Sequence, residues 1–295
     1  MRFGFTLPNN WGVEAPEGVV DLAVTAEELG FDSVWVNHHV LNVGYVAERL
    51  GDRPYYDAFM VLAWAAARTS TIRLGTSVLV VPYLHPIPLA KTLATLDQLS
   101  RGRLEVGVGV GSLEQEHEAL GNVPYAERGA YTDEALAVLR ELWEAEEPRF
   151  EGRYFRFPPV LASPKPAQRP RPPLVIGGNR RPALRRVARL GDGWHPMALR
   201  PEGVASRLVT LDEELAAVGR KRSELSIQVR LDLAMRDEPG RAPLHGPPDH
   251  LRRAVDAYAQ VGVGELIVSL STGDVERIRA ALERFAAEVM VPSRA

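Results

Sequence analysis

Residues 72–110 read IRLGTSVLVVPYLHPIPLAKTLATLDQLSRGRLEVGVGV, and the succession of patterns in this stretch decides the fold. Ile72–Val81 is an apolar, β-branched run, Pro88–Leu99 reads as a helix, and Arg103–Val110 is apolar again with glycines interleaved. Strands covered by helices on both faces read as continuous apolar runs, and a strand–helix–strand order implies parallel strands joined by a right-handed crossover. The stretch is one βαβ unit, with Gly and Pro punctuating its joints.

The unit recurs in both directions. Upstream, Arg2–Leu7 leads through Asn9, Asn10 and Trp11 to a helix near Glu17–Leu29 that closes on Gly30. Ser33–Asn37 then leads through a long loop to a helix near Ala58–Arg68. Downstream, a helix near Tyr131–Glu144 is followed by proline-rich Phe150–Pro173, which breaks the rhythm and reads as an insertion. Leu174–Ile176, Gly191–Pro196, Leu225–Met235 and Glu265–Ser269 supply further strands, with helices near Arg181–Leu190, Glu202–Ala217, Asp249–Gln260 and Val275–Ala287. The repetition predicts an α/β fold, a single-domain (β/α)8 TIM barrel over residues 1–295 with an insertion at about 150–173. A doubly wound open sheet usually has fewer units, and the first βα turn lacks its glycine-rich phosphate fingerprint.

Composition narrows the partners. The 295 residues include 35 basic and 38 acidic side chains, a net charge of -3, so no broad positive field invites nucleic acid. The absence of cysteine removes disulfides and thiolate chemistry. Met1–Phe5 runs straight into a strand, and no apolar stretch approaches the roughly 18 residues of a membrane span. The expectation is a cytoplasmic protein with a small-molecule partner, no nucleic acid and no membrane.

In this architecture the active site gathers at the C-terminal strand ends. There the chain carries Asn37-His38-His39, Pro82-Tyr83-Leu84-His85, Gly109-Val110-Gly111-Ser112, Gly177-Gly178-Asn179 and Asp192-Gly193-Trp194-His195. Gly177, Gly178 and Asn179 precede a helix start, where bare amides and the helix dipole suit a phosphate, although a tight turn would look the same. Gly107, Gly109 and Gly111 fall within a strand, not after one, so they fit close approach of a flat ring to the backbone better than a dinucleotide fingerprint. His38 and His39 point to opposite sides and lack a companion carboxylate pattern, so no metal site is expected. Either imidazole facing the mouth could exchange a proton near neutral pH.

At these junctions the sequence resembles the luciferase-like monooxygenase superfamily along nearly its whole length. The phrases that carry the resemblance are Ala26–Val36, Ile72–Val78, Leu89–Ser100, Gly102–Gly109, Glu118–Gly121, Ala126–Gly129 and Leu190–Trp194. Asn37–Asn42 and Val123–Tyr131 are most similar to members of the F420-dependent oxidoreductase branch. The resemblance implies a homodimeric barrel that holds a ring cofactor over its mouth, coenzyme F420 (8-hydroxy-5-deazaflavin) in preference to FMN, with its phosphate near Gly177 and Gly178. It also implies a non-proline cis peptide at Ser77-Val78, beneath the ring. In that branch an acidic residue and a histidine follow the second strand; the histidine maps to His39, while His38 stands at the acidic position. Members acting on sugar phosphates carry a glutamate where this chain has Ser112, which argues against such a substrate.

The expected reaction is hydride transfer between F420 and a small organic substrate, with His39 exchanging the proton. His38, Ser77, Val78, Gly109, Val110, Gly111, Gly177, Gly178 and Asn179 are expected to bind cofactor, and Trp11, Tyr83, Trp194, His195 and Arg230 to face substrate. The rivals are an FMN-dependent monooxygenase using oxygen and a non-catalytic cofactor-binding barrel.

Overall fold

Eight strands carry the barrel: β1 (Arg2–Thr6), β2 (Ser33–Val36), β3 (Arg73–Thr76), β4 (Leu104–Gly109), β5 (Leu174–Gly177), β6 (Gly193–His195), β7 (Ser226–Met235) and β8 (Glu265–Ser269). In the computed structural model, which describes residues 1–294, each strand pairs in parallel with the next and β8 pairs back to β1. The helices that cover them are α1 (Pro16–Glu28), α2 (Ala58–Arg68), α3 (Pro86–Leu99), α4 (Arg128–Glu144), α5 (Arg181–Leu190), α6 (Pro201–Ala216), α7 (Pro248–Gln260) and α8 (Val275–Phe285). The barrel expected from the sequence is the fold observed.

Alternation along each strand sorts side chains between two compartments. Phe3, Phe5, Val34, Val36 and Trp194 face outward into the core shared with the helices, where Leu22, Leu62, Leu93 and Leu139 meet them. Inside the barrel Trp35 packs with Val175 and Ile267. Its bulk explains two strand glycines: a Cβ on Gly75 would lie 2.2 Å from the Trp35 ring and one on Gly4 2.9 Å from its Nε1. The N-terminal end is closed by a polar layer in which buried Glu265 bonds Ser33 and Arg2, buried Glu105 bonds Arg73, and Gln228 donates to Glu105.

The predicted strand Ile72–Val81 is not continuous. Leu74 pairs with Leu104 and Leu79 with Val108, so five steps along the first chain span four along β4. One extra residue is a bulge, which re-aims every side chain after it. The bulge contains the cis Ser77-Val78 peptide, and after it Leu79–Val80 rejoins the sheet. The long loop after β2 contains a short helix, Tyr45–Leu50, and a short strand, Leu244–Gly246, pairs with β7. The segment between α4 and β5 holds a small antiparallel hairpin, Phe150–Glu151 with Arg156–Phe157. No helix among the described residues is long and apolar enough to cross a membrane.

Candidate active site at the barrel mouth

The bulge after β3 forms the floor of the mouth, and the predicted glycines make room for it. A Cβ on Gly107 would come within 1.8 Å of the Thr76 carbonyl, one on Gly109 within 2.8 Å of Val78, and one on Gly177 within 3.1 Å of Val78. Gly111 has a positive φ of 74° and would strike Val80. The glycines of β4 therefore accommodate the protein's own bulge, which corrects the expectation that they let a ring approach directly. The surface offered upward at the floor is that of Ser77 and Val78.

Around this floor stand polar groups. The Arg230 Nη1 donates to Asn37 Oδ1 at 2.5 Å and to the Ser77 carbonyl and hydroxyl at 3.1 and 3.3 Å. Ser77 Oγ lies 2.8 Å from His195 Nε2. Burial, aided by the Arg230 charge, pushes His195 down to about 3, so this imidazole is neutral. Asn9 ties the neighbouring strand ends together, donating to the Asn37 carbonyl and accepting from its amide. Several groups here meet no partner among the described residues: Thr6 Oγ1, Asn10 Oδ1, Asn37 Nδ2, Tyr55 OH and Asn179 Oδ1. Buried polar atoms ordinarily find partners, so this concentration at the strand ends marks a surface made to receive something polar.

The two adjacent histidines divide as their alternation requires. His38 is buried between Phe59 and Tyr83, and its Nδ1 accepts from the Val80 amide at 3.2 Å. Burial holds it at about 4, so it is a neutral prop behind the bulge and does not reach the mouth as a cofactor contact. His39 turns the other way. Its Nδ1 is 2.5 Å from Glu116 Oε2 and its Nε2 is 2.9 Å from the Tyr45 hydroxyl. Glu116 also accepts from the amides of Val40 and Leu41. Burial would raise this carboxyl, but the bonds from His39 and the two amides outweigh it and hold the group below the usual range. The arrangement is a carboxylate–imidazole–phenol chain, in which the acceptor on Nδ1 leaves Nε2 as the basic nitrogen.

Trp194 corrects a second expectation. It is fully buried in the outer core, and its Nε1 donates to the Gly178 carbonyl at 2.8 Å, so it supports the β5 turn from behind. Tyr83 is likewise largely buried, with its hydroxyl toward the Leu113 carbonyl. Trp11 does reach the mouth loops, where the Arg49 guanidinium lies 4.5 Å above its ring. Gly178, at φ 117°, completes the turn into α5, and Asn179 is anchored to the Met197 carbonyl at 3.0 Å. Val110 follows β4 at the rim with partial exposure. Glu116, Tyr45, Tyr55 and Arg49 were not singled out from the sequence. A groove of about 460 Å³ lies elsewhere, between α3, α4 and the insertion, lined by Lys91, Trp143 and Leu161 among others. It contains none of the strand-end residues around which the unpartnered polar groups gather.

Residues 1–264 match the family description luciferase-like monooxygenase. An F420-dependent glucose-6-phosphate dehydrogenase of Kineococcus radiotolerans is 34% identical over 234 residues, covering 77% of this chain and 67% of its own. An uncharacterized protein of Mycobacterium tuberculosis is 35% identical, covering 79% and 76%. Among solved structures, the monooxygenase RslO1 of Streptomyces bottropensis superposes with a TM-score of 0.84 at 26% identity over 100% of both chains. An F420-dependent secondary alcohol dehydrogenase in complex with an F420-acetone adduct gives 0.84 at 19% identity over 100% and 99%, a likeness of fold.

Proposed function

The chain belongs to the luciferase-like monooxygenase family, and from that premise we propose an oxidoreductase that uses coenzyme F420 on a small organic substrate. The observation that carries this reading is the set of partnerless polar groups above the Ser77-Val78 floor, joined to 34% identity with an F420-dependent dehydrogenase. The residues fit such a cofactor: a floor of Ser77 and Val78 packed over Gly109 and Gly177, Val110 half-exposed at the rim, and Gly178 and Asn179 preceding the amide end of α5 for a phosphate. Held there, the deazaflavin would supply hydride chemistry.

The protein's share is position and proton management. His39 Nε2 exchanges the proton, with the Tyr45 hydroxyl as its near neighbour and Glu116 compensating the charge that appears on the imidazolium. Glu116 is fully engaged by His39, Val40 and Leu41, so it does not replace the acid missing at Ser112, and a sugar phosphate is not the proposed substrate. Cytoplasmic location and pairing as a homodimer belong to the same reading; sedimentation as a monomer at micromolar concentration would remove the dimer.

Fluorescence titration of the purified protein with F420 and separately with FMN tests the cofactor. Tighter binding of F420 is the expected result. The likeness to the monooxygenase RslO1 makes oxygenation the second reading, and preferential FMN binding with substrate-dependent oxygen uptake would put it first. Binding of neither would overturn both and leave the non-catalytic barrel.

A further inference from the structure

We propose that the mouth recess binds a carboxylate, with the Arg230 guanidinium as its receptor, so that the substrate of the proposed reaction is a carboxylic acid. The term substrate rests on the functional reading above; the anion site rests on the geometry alone.

Arg230 is half-buried on β7, beside Asn37 at the end of β2 and Ser77 of the bulge. Its Nη1 is held by Asn37 and Ser77, whereas Nε and Nη2 meet no acceptor among the described residues. Those two N–H groups form the side-on fork that matches the two oxygens of a carboxylate. No carboxylate of the described residues forms an ion pair with Arg230. Asp232, on the same strand, acts on it only at a distance and is occupied by His245 and Ser271. Burial and the neighbouring Arg49 charge depress the guanidinium to about 10, and it remains charged at neutral pH.

The surroundings lack the same thing. Arg49, over Trp11, has a buried Nε without an acceptor and likewise no ion pair among the described residues. The Tyr55 hydroxyl, which lies close enough to feel both arginines, is buried without a partner among the described residues, and Asn37 Nδ2 is a further donor without one. Two guanidinium groups without ion-pair partners among the described residues, with further donors beside them, favour an anion, because a buried charge normally retains a partner. An anion rich in acceptors supplies that partner. A carboxylate fits the single free fork. The anionic edge of the reduced cofactor is the other source of such charge, and the test separates the two.

The probes are benzoate, oxalate and succinate, with benzamide as the neutral control, titrated against the cofactor-free protein by thermal shift and tryptophan fluorescence. Wild type is expected to bind at least one carboxylate and not benzamide, with affinity reduced about tenfold or more in Arg230→Gln and less in Arg230→Lys. F420 affinity should fall by less than carboxylate affinity in both variants, since Arg230 also bonds Ser77 on the cofactor floor. Carboxylate binding that is absent, or equal in wild type and Arg230→Gln, overturns the proposal. So does a loss confined to F420 affinity, which would assign the guanidinium to the cofactor. If Arg230→Gln does not fold, Arg230→Lys carries the same comparison, since it keeps the charge and loses the fork. Arg230-dependent carboxylate binding in a protein that ignores F420 would uphold the anion site while the cofactor reading falls.

Discussion

Glu116 stands in Glu114-Gln115-Glu116-His117-Glu118, a run that reads as a solvated helix face, yet it is fully buried and holds three donors from the His39–Leu41 segment. No local pattern announces this, because the contact joins residues 77 apart in sequence. His39 itself was legible from its place after an apolar strand. We expect Glu116→Gln to lower turnover by about tenfold or more, with the acid limb of the pH profile moving to lower pH as the imidazolium loses its counter-charge. An unchanged limb would show that Glu116 only supports the loop. Arg103 is the contrasting case. It belongs to a family-like phrase, but its guanidinium bonds the carbonyls of Ala66, Thr69 and Ile72 and ties the end of α2 to the start of β3, which is a structural task.

The element that most separates sequence from structure is the interrupted third strand. Ile72–Val81 is so rich in β-branched residues that it reads as one strand, and the residues that permit the bulge lie on the neighbouring strand. Gly107 and Gly109 are required because the bulge folds over them. Gly107→Ala would drive a Cβ against the Thr76 carbonyl, so we expect destabilisation of about 3 kcal/mol, read as a lower urea midpoint. Gly203→Ala, in α6 with nothing nearer than 3.6 Å, should instead gain about 0.5–1 kcal/mol from helix propensity. Equal effects at the two positions would refute the packing account. The β6 end shows the same limit at smaller scale: the motif Trp194-His195 was visible, but which of the pair faces the mouth depended on register, and it was His195.

Across the whole molecule, buried titratable groups at the two ends of the barrel give stability opposite pH dependences. His38 and His195 have folded values of about 4 and 3, below the ordinary 6.5, so the unfolded chain binds more protons under acid. Their contribution is complete above 6.5 and is lost as pH falls toward those values, at up to about 1.4 kcal/mol per pH unit for each. Glu265, raised to about 7 by burial and by Glu105, contributes fully below 4.5 and loses that contribution as pH rises through 7. Between about pH 4.5 and 6.5 the histidine and Glu265 contributions oppose each other, so in urea unfolding across pH His38→Asn should flatten the acid limb and Glu265→Gln should steepen it. A limb unaltered by these substitutions would place the dependence elsewhere. The sequence by itself determined the eightfold βα rhythm, because strands buried on both faces and helices buried on one must carry those apolar patterns. It also determined which junctions bear the chemistry, since the barrel puts every strand end on one rim. Tertiary structure alone decided the bulge, the inward or outward choice at each rim pair and the partners Glu116, Tyr45, Tyr55 and Arg49, because those depend on register and on contacts between distant loops.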